Sequence, residues 1–253
     1  MAEDLGPWFH RFSRTDGGVR LFCFAHAGGG ASAFRDLSRA LAPDVQAYGV
    51  QYPGRQDRLG EPCLDSLPEV GALVAAEIRR LGVGPDRPYA LLGHSMGATV
   101  AFEAARLLEA SGTGPVAFFA SGRIAPDAPP HLGGRLLDDQ ALLADLRRLG
   151  GTTGDVLTDP RLLALLLPAL RADYGAVQRY VYDGPRPALA CPVVGMVGTA
   201  DVRVSVADVK PWADFTSGPF ACHEFPGGHF YLDENLPGVT ALIRSVLRSE
   251  PRR

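Results

Sequence analysis

The chain has 253 residues, of which 46% are hydrophobic and 21% are charged. This composition is typical of an ordinary globular protein and excludes extensive disorder or a coiled coil. The formal net charge of -3 and the pI near 6.1 give no electrostatic reason to expect nucleic acid as a partner. The length allows one large α/β domain, so we expect a single domain over residues 1–253.

Targeting and metal-binding patterns are missing from the sequence. No apolar stretch approaches the ~18 residues that cross a bilayer, and the acidic start MAEDLGPW lacks the apolar core of a secretory signal. The four cysteines are scattered without CxxC spacing, and there is no HExxH or EF-hand pattern. We therefore expect a cytoplasmic protein without disulfides, bound metal or a membrane segment.

Apolar runs rich in Val, Phe and Tyr alternate with helical patterns along most of the chain. This alternation is typical of βαβ units and predicts an α/β fold with a mostly parallel central sheet flanked by helices. The predicted strands are 19–25, 45–52, 88–93, 115–120, 192–198 and 220–225, with residues 8–14 as a candidate edge strand. The predicted helices in this part of the pattern are 31–42, 66–81, 96–111 and 236–249.

Residues 124–187 depart from this alternation. The segment is roughly twice as long as the ~30 residues of a crossover unit and carries two apolar helical patterns, at 136–149 and 160–182. Asp159 can cap the second helix, with Pro160 at its first position. We therefore expect a helical insertion over the sheet edge.

A GxSxG pattern, GHSMG, lies at residues 93–97. The apolar strand before it and the helix of small and apolar residues after it are the context of a nucleophile elbow. The flanking glycines would leave room for a strained central residue. Ser95 is therefore the predicted nucleophile.

A serine nucleophile needs a histidine base that is oriented by an acid. In α/β folds with a nucleophile elbow, the acid follows the serine and precedes the histidine in the chain. The other histidines precede Ser95, lie in the elbow or begin the insertion, which leaves two. His223 lies within a strand pattern, whereas His229 follows Pro-Gly-Gly after the last strand and is the predicted base. Asp201 leaves the end of strand 192–198 and is the predicted acid. Asp127 is its rival, but it lies in a Pro-rich stretch too far beyond its strand.

A second glycine cluster, AHAGGG at residues 25–30, follows the first clear strand. As an oxyanion loop it would offer the backbone amide of Ala27, together with that of Met96, to a developing alkoxide. The same glycines fit a dinucleotide fingerprint at 28–33, but the next strand ends in QYPGR without the acidic residue that would hold a ribose. A dinucleotide is therefore not expected.

The segments FAHAGGGASAF, YGVQYPGRQDR, LLGHSMGA, LRADYGAVQRY, VGTAD and FPGGHFYL together resemble the type II thioesterases. These are stand-alone editing enzymes of polyketide and nonribosomal peptide assembly lines. The resemblance extends over nearly the whole chain and implies an α/β-hydrolase fold with Ser95 as nucleophile, Asp201 as acid and His229 as base. It also implies the amides of Ala27 and Met96 as the oxyanion hole. Residues 124–187 would then be a helical lid over the acyl pocket.

The reaction that the resemblance implies is hydrolysis of an acyl thioester on the phosphopantetheine arm of an acyl or peptidyl carrier protein. The arm would enter as part of the substrate, so no separate cofactor is expected. We also expect a monomer, and a separate polypeptide rather than a releasing domain of a synthase.

Two other functions fit the same residues. A carboxylesterase or lipase would use the same triad on oxygen esters, because a triad does not reveal its leaving group. A non-catalytic hydrolase-like domain would bind an acyl group or a partner protein. Within the insertion, the leucine-rich run at 162–167 could line an acyl chamber or serve ordinary helix packing, and packing is favoured.

Overall fold

The computed structural model describes residues 4–15, 18–84, 86–129, 138–150 and 159–249. Seven strands form one sheet in the order β1-β3-β2-β4-β5-β6-β7. The strands are β1 (Phe9–Arg11), β2 (Val19–Phe24), β3 (Val45–Val50), β4 (Tyr89–His94), β5 (Ala117–Ser121), β6 (Val193–Gly198) and β7 (Phe220–Phe225). β1 pairs antiparallel with β3 at one edge, and the other neighbouring strands are parallel. The predicted α/β fold and its mostly parallel sheet are confirmed.

The central strands are buried along their whole length rather than at alternate positions. Every residue of β3, β4, β5 and β6 is buried. Strands of a parallel sheet have both faces covered by helices, so both sets of side chains leave water. The apolar runs of the sequence therefore locate these strands closely.

Eight helices surround the sheet in the described part of the chain. They are α1 (Arg35–Leu41), α2 (Leu67–Arg80), α3 (Met96–Ala110), α4 (Asp139–Leu149), α5 (Pro160–Arg179), α6 (Val206–Val209), α7 (Tyr231–Glu234) and α8 (Leu236–Ser249). The predicted helix at 31–42 is divided, because its first turn, Ala31–Phe34, is a 3₁₀ helix that precedes α1. Most of α3 is buried, since its small residues pack against α2 and against strands β4, β2 and β5.

Helix α5 begins where the sequence predicts and ends earlier. The Asp159 side chain accepts a hydrogen bond from the Arg161 amide at 2.8 Å, and Pro160 occupies the first turn. The helix ends at Arg179 rather than at residue 182. Tyr180 takes an extended conformation, and its hydroxyl donates to the buried Glu103 carboxylate at 2.5 Å. This tertiary contact ends the helix although the local pattern continues.

In the chain, helices α4 and α5 follow β5 and precede β6, and they share an apolar cluster of their own. Its buried members are Leu142, Leu146, Leu170 and Tyr174, and Ala27 of the loop after β2 packs against it. In the leucine-rich run, Leu163 and Leu166 contact this cluster while Leu162 and Leu165 are exposed. Packing therefore accounts for two of these leucines. Residues 130–137 and 151–158 of the predicted insertion lie outside the described residues, and its role as a lid stays a prediction.

Two further features bear on the expectations from composition. No disulfide joins the four cysteines, all of which lie in the described ranges. No helix in the described ranges is both long enough and apolar enough to cross a bilayer.

Candidate active site

The candidate site lies at the carboxyl edge of the sheet. Ser95 directly follows β4, while Asp201 and His229 lie in the loops after β6 and β7, and Ala27 follows β2. Because these four strands are parallel, their carboxyl ends meet at one edge, where open α/β sheets gather functional groups. Residues far apart in the chain are thereby brought to one place.

Ser95 occupies a strained turn between β4 and α3. Its backbone has φ 56° and ψ -122°, and its amide donates to the Ser121 carbonyl at 2.8 Å. Such a conformation costs a non-glycine residue about 1–3 kcal/mol and persists only where the surroundings impose it. A Cβ on Gly97 would lie 2.1 Å from the Phe24 carbonyl oxygen, and one on Gly93 would lie 2.3 Å from the Ala98 Cα. The two glycines therefore allow the tight approach of strand and helix that imposes this turn.

We expect Gly97→Ala to lower the free energy of unfolding by about 1–3 kcal/mol, because the added methyl group would force the elbow away from β2. Equilibrium urea unfolding would measure the change. Gly60→Ala is the matched control, since a Cβ at Gly60 would meet no atom within 4 Å. Equal stability losses in the two variants would contradict the steric role assigned to Gly97.

Ser95, His229 and Asp201 form a continuous row of hydrogen bonds. His229 Nε2 lies 2.9 Å from Ser95 Oγ, and His229 Nδ1 lies 2.7 Å from Asp201 Oδ2. An ionised carboxylate only accepts hydrogen bonds, so Nδ1 carries the imidazole proton and Nε2 is left to accept from the serine hydroxyl. Ser95 is 8% exposed and His229 only 1%, so the row is shielded from bulk water. This arrangement can activate a serine hydroxyl.

The Asp201 carboxylate is held in its charged form. Burial alone would raise its pKa, but the hydrogen bond and charge of His229 oppose this effect. The backbone amides of Arg203 and Val204 also donate to Oδ1, at 2.8 and 3.2 Å. Together these contacts keep the pKa of Asp201 below its ordinary value of 3.8. The carboxylate is therefore ionised at neutral pH and can stabilise an imidazolium.

Two backbone amides near the serine lack an acceptor. The N–H groups of Ala27 and Met96 make no hydrogen bond to any described residue. Met96 is the first residue of α3, and the N–H groups of a helix's first turn have no partner within the helix. Unsatisfied amides of this kind are suited to hold a developing oxyanion.

Two further histidines surround the base. The His94 ring lies 5.1 Å from that of His229, and its Nδ1 is 3.0 Å from Ser121 Oγ. The His26 ring lies 6.0 Å from His94 and 4.8 Å from Phe230. Burial, reinforced by the charges of neighbouring groups, lowers the pKa of His94 well below 6.5. Both neighbours of the base are therefore neutral at physiological pH, because the pKa of His26 is likewise lowered, to about 4.

His26 should make the protein less stable in mild acid. Burial first, and then the charges of His229 and Arg55, lower its pKa from 6.5 to about 4. Between these values the unfolded chain binds a proton that the folded chain excludes, so stability falls as the pH falls through this window. Between pH 7 and pH 5, the free energy of unfolding should fall by about 1 kcal/mol less in His26→Asn than in the wild type. Urea unfolding at both pH values tests this, and an equal fall in the free energy of unfolding of the two proteins would contradict it.

The rivals considered from the sequence lie elsewhere. Asp127 forms an ion pair with Arg186, and His223 lies within β7 opposite Met196, half-buried. The structure thus brings Ser95, Asp201 and His229 together and leaves the two alternatives outside the row.

The sequence pattern assigned no role to two charged residues beside the site. Arg55 of the YPGR segment and Asp173 of the LRADY segment form a buried ion pair that touches the loop at residues 25–30. The signal that could have drawn attention to them is a charged residue inside each of two distinctive motifs. Their pairing across 118 positions of the chain is not readable from local patterns.

Comparison with known proteins is consistent with this geometry. Residues 19–249 match the family described as "Thioesterase domain". The thioesterase PikA5 of Streptomyces venezuelae is 45% identical over 236 residues, which are 92% of this chain and 83% of that protein. The gramicidin S biosynthesis protein GrsT of Aneurinibacillus migulanus is 38% identical over 251 residues, covering 98% of this chain and 96% of that protein.

Solved structures give the same result. The type II thioesterase BorB from the borrelidin biosynthetic cluster matches with a TM-score of 0.84 at 38% identity, over 98% of this chain and 100% of that one. The α/β-hydrolase fold and the resemblance to type II thioesterases are therefore confirmed. Since the family match extends over most of the sequence and these relatives match over most of their lengths, the chain belongs to the thioesterase family.

Proposed function

We propose that this chain is a stand-alone type II thioesterase that removes acyl groups from the phosphopantetheine arm of acyl or peptidyl carrier proteins. The observation that carries the proposal is the hydrogen-bonded row of Ser95, His229 and Asp201 in a chain of the thioesterase family. Support for the pathway comes from relatives named for gramicidin S and borrelidin biosynthesis.

In the first half-reaction, Ser95 Oγ attacks the thioester carbonyl carbon as His229 Nε2 takes the hydroxyl proton. The negative charge that develops on the carbonyl oxygen is stabilised by the amides of Ala27 and Met96. When the tetrahedral intermediate collapses, the C–S bond breaks and His229 returns the proton to the departing sulfur. The products are an acyl ester on Ser95 and the free thiol of the arm.

In the second half-reaction, His229 Nε2 takes a proton from a water molecule, whose oxygen attacks the acyl ester. Collapse of the new intermediate breaks the bond to Ser95 Oγ, and His229 reprotonates that oxygen. Asp201 stays ionised throughout, orients the imidazole and stabilises the imidazolium. The acyl group leaves as a carboxylic acid.

The insertion at 124–187 would act as a lid over the acyl group in this proposal. Its helices α4 and α5 share an apolar cluster with Ala27 of the oxyanion loop, which supports a position next to the reacting carbonyl. We further propose that the enzyme acts as a monomer and needs no cofactor of its own, since the arm arrives on the carrier.

Matched substrates that differ only in the leaving group test the proposal against an esterase. One acyl group would be presented on a carrier protein, as an N-acetylcysteamine thioester and as an ethyl ester, with loss of carrier-bound acyl groups followed by intact mass. We expect the highest kcat/KM for the carrier-bound thioester and a loss of about 10⁴-fold or more in Ser95→Ala. A preference for the ethyl ester, or unchanged lifetimes of acyl-carriers across a panel of acyl groups, would overturn the proposal.

A further inference from the structure

A buried ion pair joins helix α5 of the insertion to the core. Arg55 Nη1 lies 2.5 Å from Asp173 Oδ2, and Arg55 Nη2 lies 2.9 Å from Asp173 Oδ1, so the contact is bidentate. The two side chains are 7% and 4% exposed. The pair is therefore withdrawn from water and fixed in orientation.

The same two side chains hold the loop that carries the Ala27 amide. Asp173 Oδ2 accepts a hydrogen bond from the Gly28 amide at 2.7 Å, and Arg55 Nη1 donates to the Gly29 carbonyl at 3.2 Å. The Gly28 amide belongs to the peptide unit that directly follows Ala27. Fixing the plane of that unit limits the directions in which the neighbouring Ala27 N–H can point.

This loop needs such support because three of its residues are glycines. Within it, a turn bond from the Gly29 amide to the His26 carbonyl, at 2.9 Å, helps to set its shape. Glycine has more backbone freedom than any other residue, and an oxyanion donor is effective only when its direction is set before the reaction. The ion pair supplies the constraint that the glycines lack.

Stability alone does not account for the pair. Removing two charges from water carries a large desolvation penalty, and apolar residues of similar volume often replace a buried ion pair without loss of stability. Its contacts to the Gly28 amide and the Gly29 carbonyl of the oxyanion loop give it a function at the site instead.

We propose that Arg55 and Asp173 are positioning residues that hold the loop at 25–30 in the geometry of the oxyanion hole. Because Asp173 belongs to α5, the hole is complete only while this helix lies on the loop. The inference rests on the proposed function, since it requires an oxyanion to form at Ser95. Loss of the pair should weaken binding of the transition state and leave binding of the ground state unchanged.

The double variant Arg55→Met/Asp173→Leu tests this while leaving no buried charge unpaired. With an acyl N-acetylcysteamine thioester we expect kcat to fall about 10- to 100-fold and KM to change less than about threefold. An alkylboronic acid, which forms a tetrahedral adduct with the serine, should lose affinity in parallel with kcat. A non-hydrolysable thioether analogue of the substrate should bind as it does to the wild type.

A matched control removes another bidentate ion pair of α5, this one to α4 instead of the core. Arg171 contacts Asp139 through two hydrogen bonds, at 2.7 and 2.5 Å, on the exposed side of the insertion. Arg171→Met/Asp139→Leu should keep the wild-type kcat and boronate affinity. Asp173→Asn serves as a second test variant if the double variant does not fold, and its kcat should fall at least about fivefold.

The outcomes separate the two proposals. A wild-type enzyme that does not hydrolyse thioesters would overturn the proposed function. An active wild type, with a folded Arg55→Met/Asp173→Leu or Asp173→Asn variant that keeps its kcat and boronate affinity within about twofold, would overturn the positioning role alone. Equal losses of boronate and thioether affinity would also overturn it, because they would indicate a general collapse of the site.

Discussion

Ser95→Ala should lower kcat for acyl-thioester hydrolysis by about 10⁴- to 10⁶-fold, one of the largest effects expected of any single substitution in this chain. The substitution removes the atom that would form the acyl-enzyme, and the hydrogen bond of 2.9 Å to His229 Nε2 is lost with it. The remaining activity would come from the oxyanion hole and from substrate binding. Rates would be followed by intact mass of an acyl-carrier protein.

Intact mass of the enzyme itself gives a second readout for this variant. The wild type should gain the mass of the acyl group at short reaction times, and Ser95→Ala should not. Ser111→Ala is the control, since Ser111 is exposed at the opposite end of α3 and its hydroxyl donates to the Leu108 carbonyl. A Ser95→Ala rate within tenfold of the wild type would contradict the nucleophilic role of Ser95 and indicate hydrolysis that does not depend on this serine.

Asp201→Asn should lower kcat by about 10⁴-fold with little change in the fold. The asparagine oxygen can still accept from the Arg203 and Val204 amides, which hold Asp201 Oδ1 at 2.8 and 3.2 Å. Its NH₂ group would then face His229 Nδ1 and donate to it. The imidazole would be held in the wrong tautomer, with its proton on Nε2, where it cannot accept from Ser95.

Asp127→Asn is the matched control for the acid. Asp127 follows β5 and forms an ion pair with Arg186. It was the alternative to Asp201 as the acid when only the sequence was considered. We expect its kcat to stay within about threefold of the wild type, with thermal unfolding of both variants as the check on structure. If Asp127→Asn were the damaging substitution and Asp201→Asn the mild one, the acid would have to be reassigned.

Much of the fold was predictable because parallel strands buried on both faces have an unmistakable pattern. β4 and β6 appear in the sequence as nearly continuous apolar runs. Ser95 directly follows the first, and Asp201 lies in the loop after the second. The nucleophile and acid candidates followed from the ends of β4 and β6, and the base candidate from the loop after β7, since the chain order of serine, acid and histidine restricts the choice. The structure brings Ser95, His229 and Asp201 into one hydrogen-bonded row.

Local patterns were less informative where a distant contact decides the backbone. The helical period continues beyond Arg179, but α5 ends there because Tyr180 turns towards Glu103, a residue of α3. In the same way, the pattern at 31–42 predicts one helix where the structure has a 3₁₀ turn and then α1. Element boundaries depend on such contacts more than element types do.

The sequence by itself determined the sheet, the elbow around Ser95 and the family, because these depend on periodicity and on short motifs whose residues are neighbours in the chain. Only the tertiary structure decided how the insertion meets the site. Arg55 and Asp173 are 118 positions apart, and their contact with the Gly28 amide exists only once α5 lies on the loop after β2. A charge in a motif shows that a partner is needed, whereas the identity of that partner is a property of the folded chain.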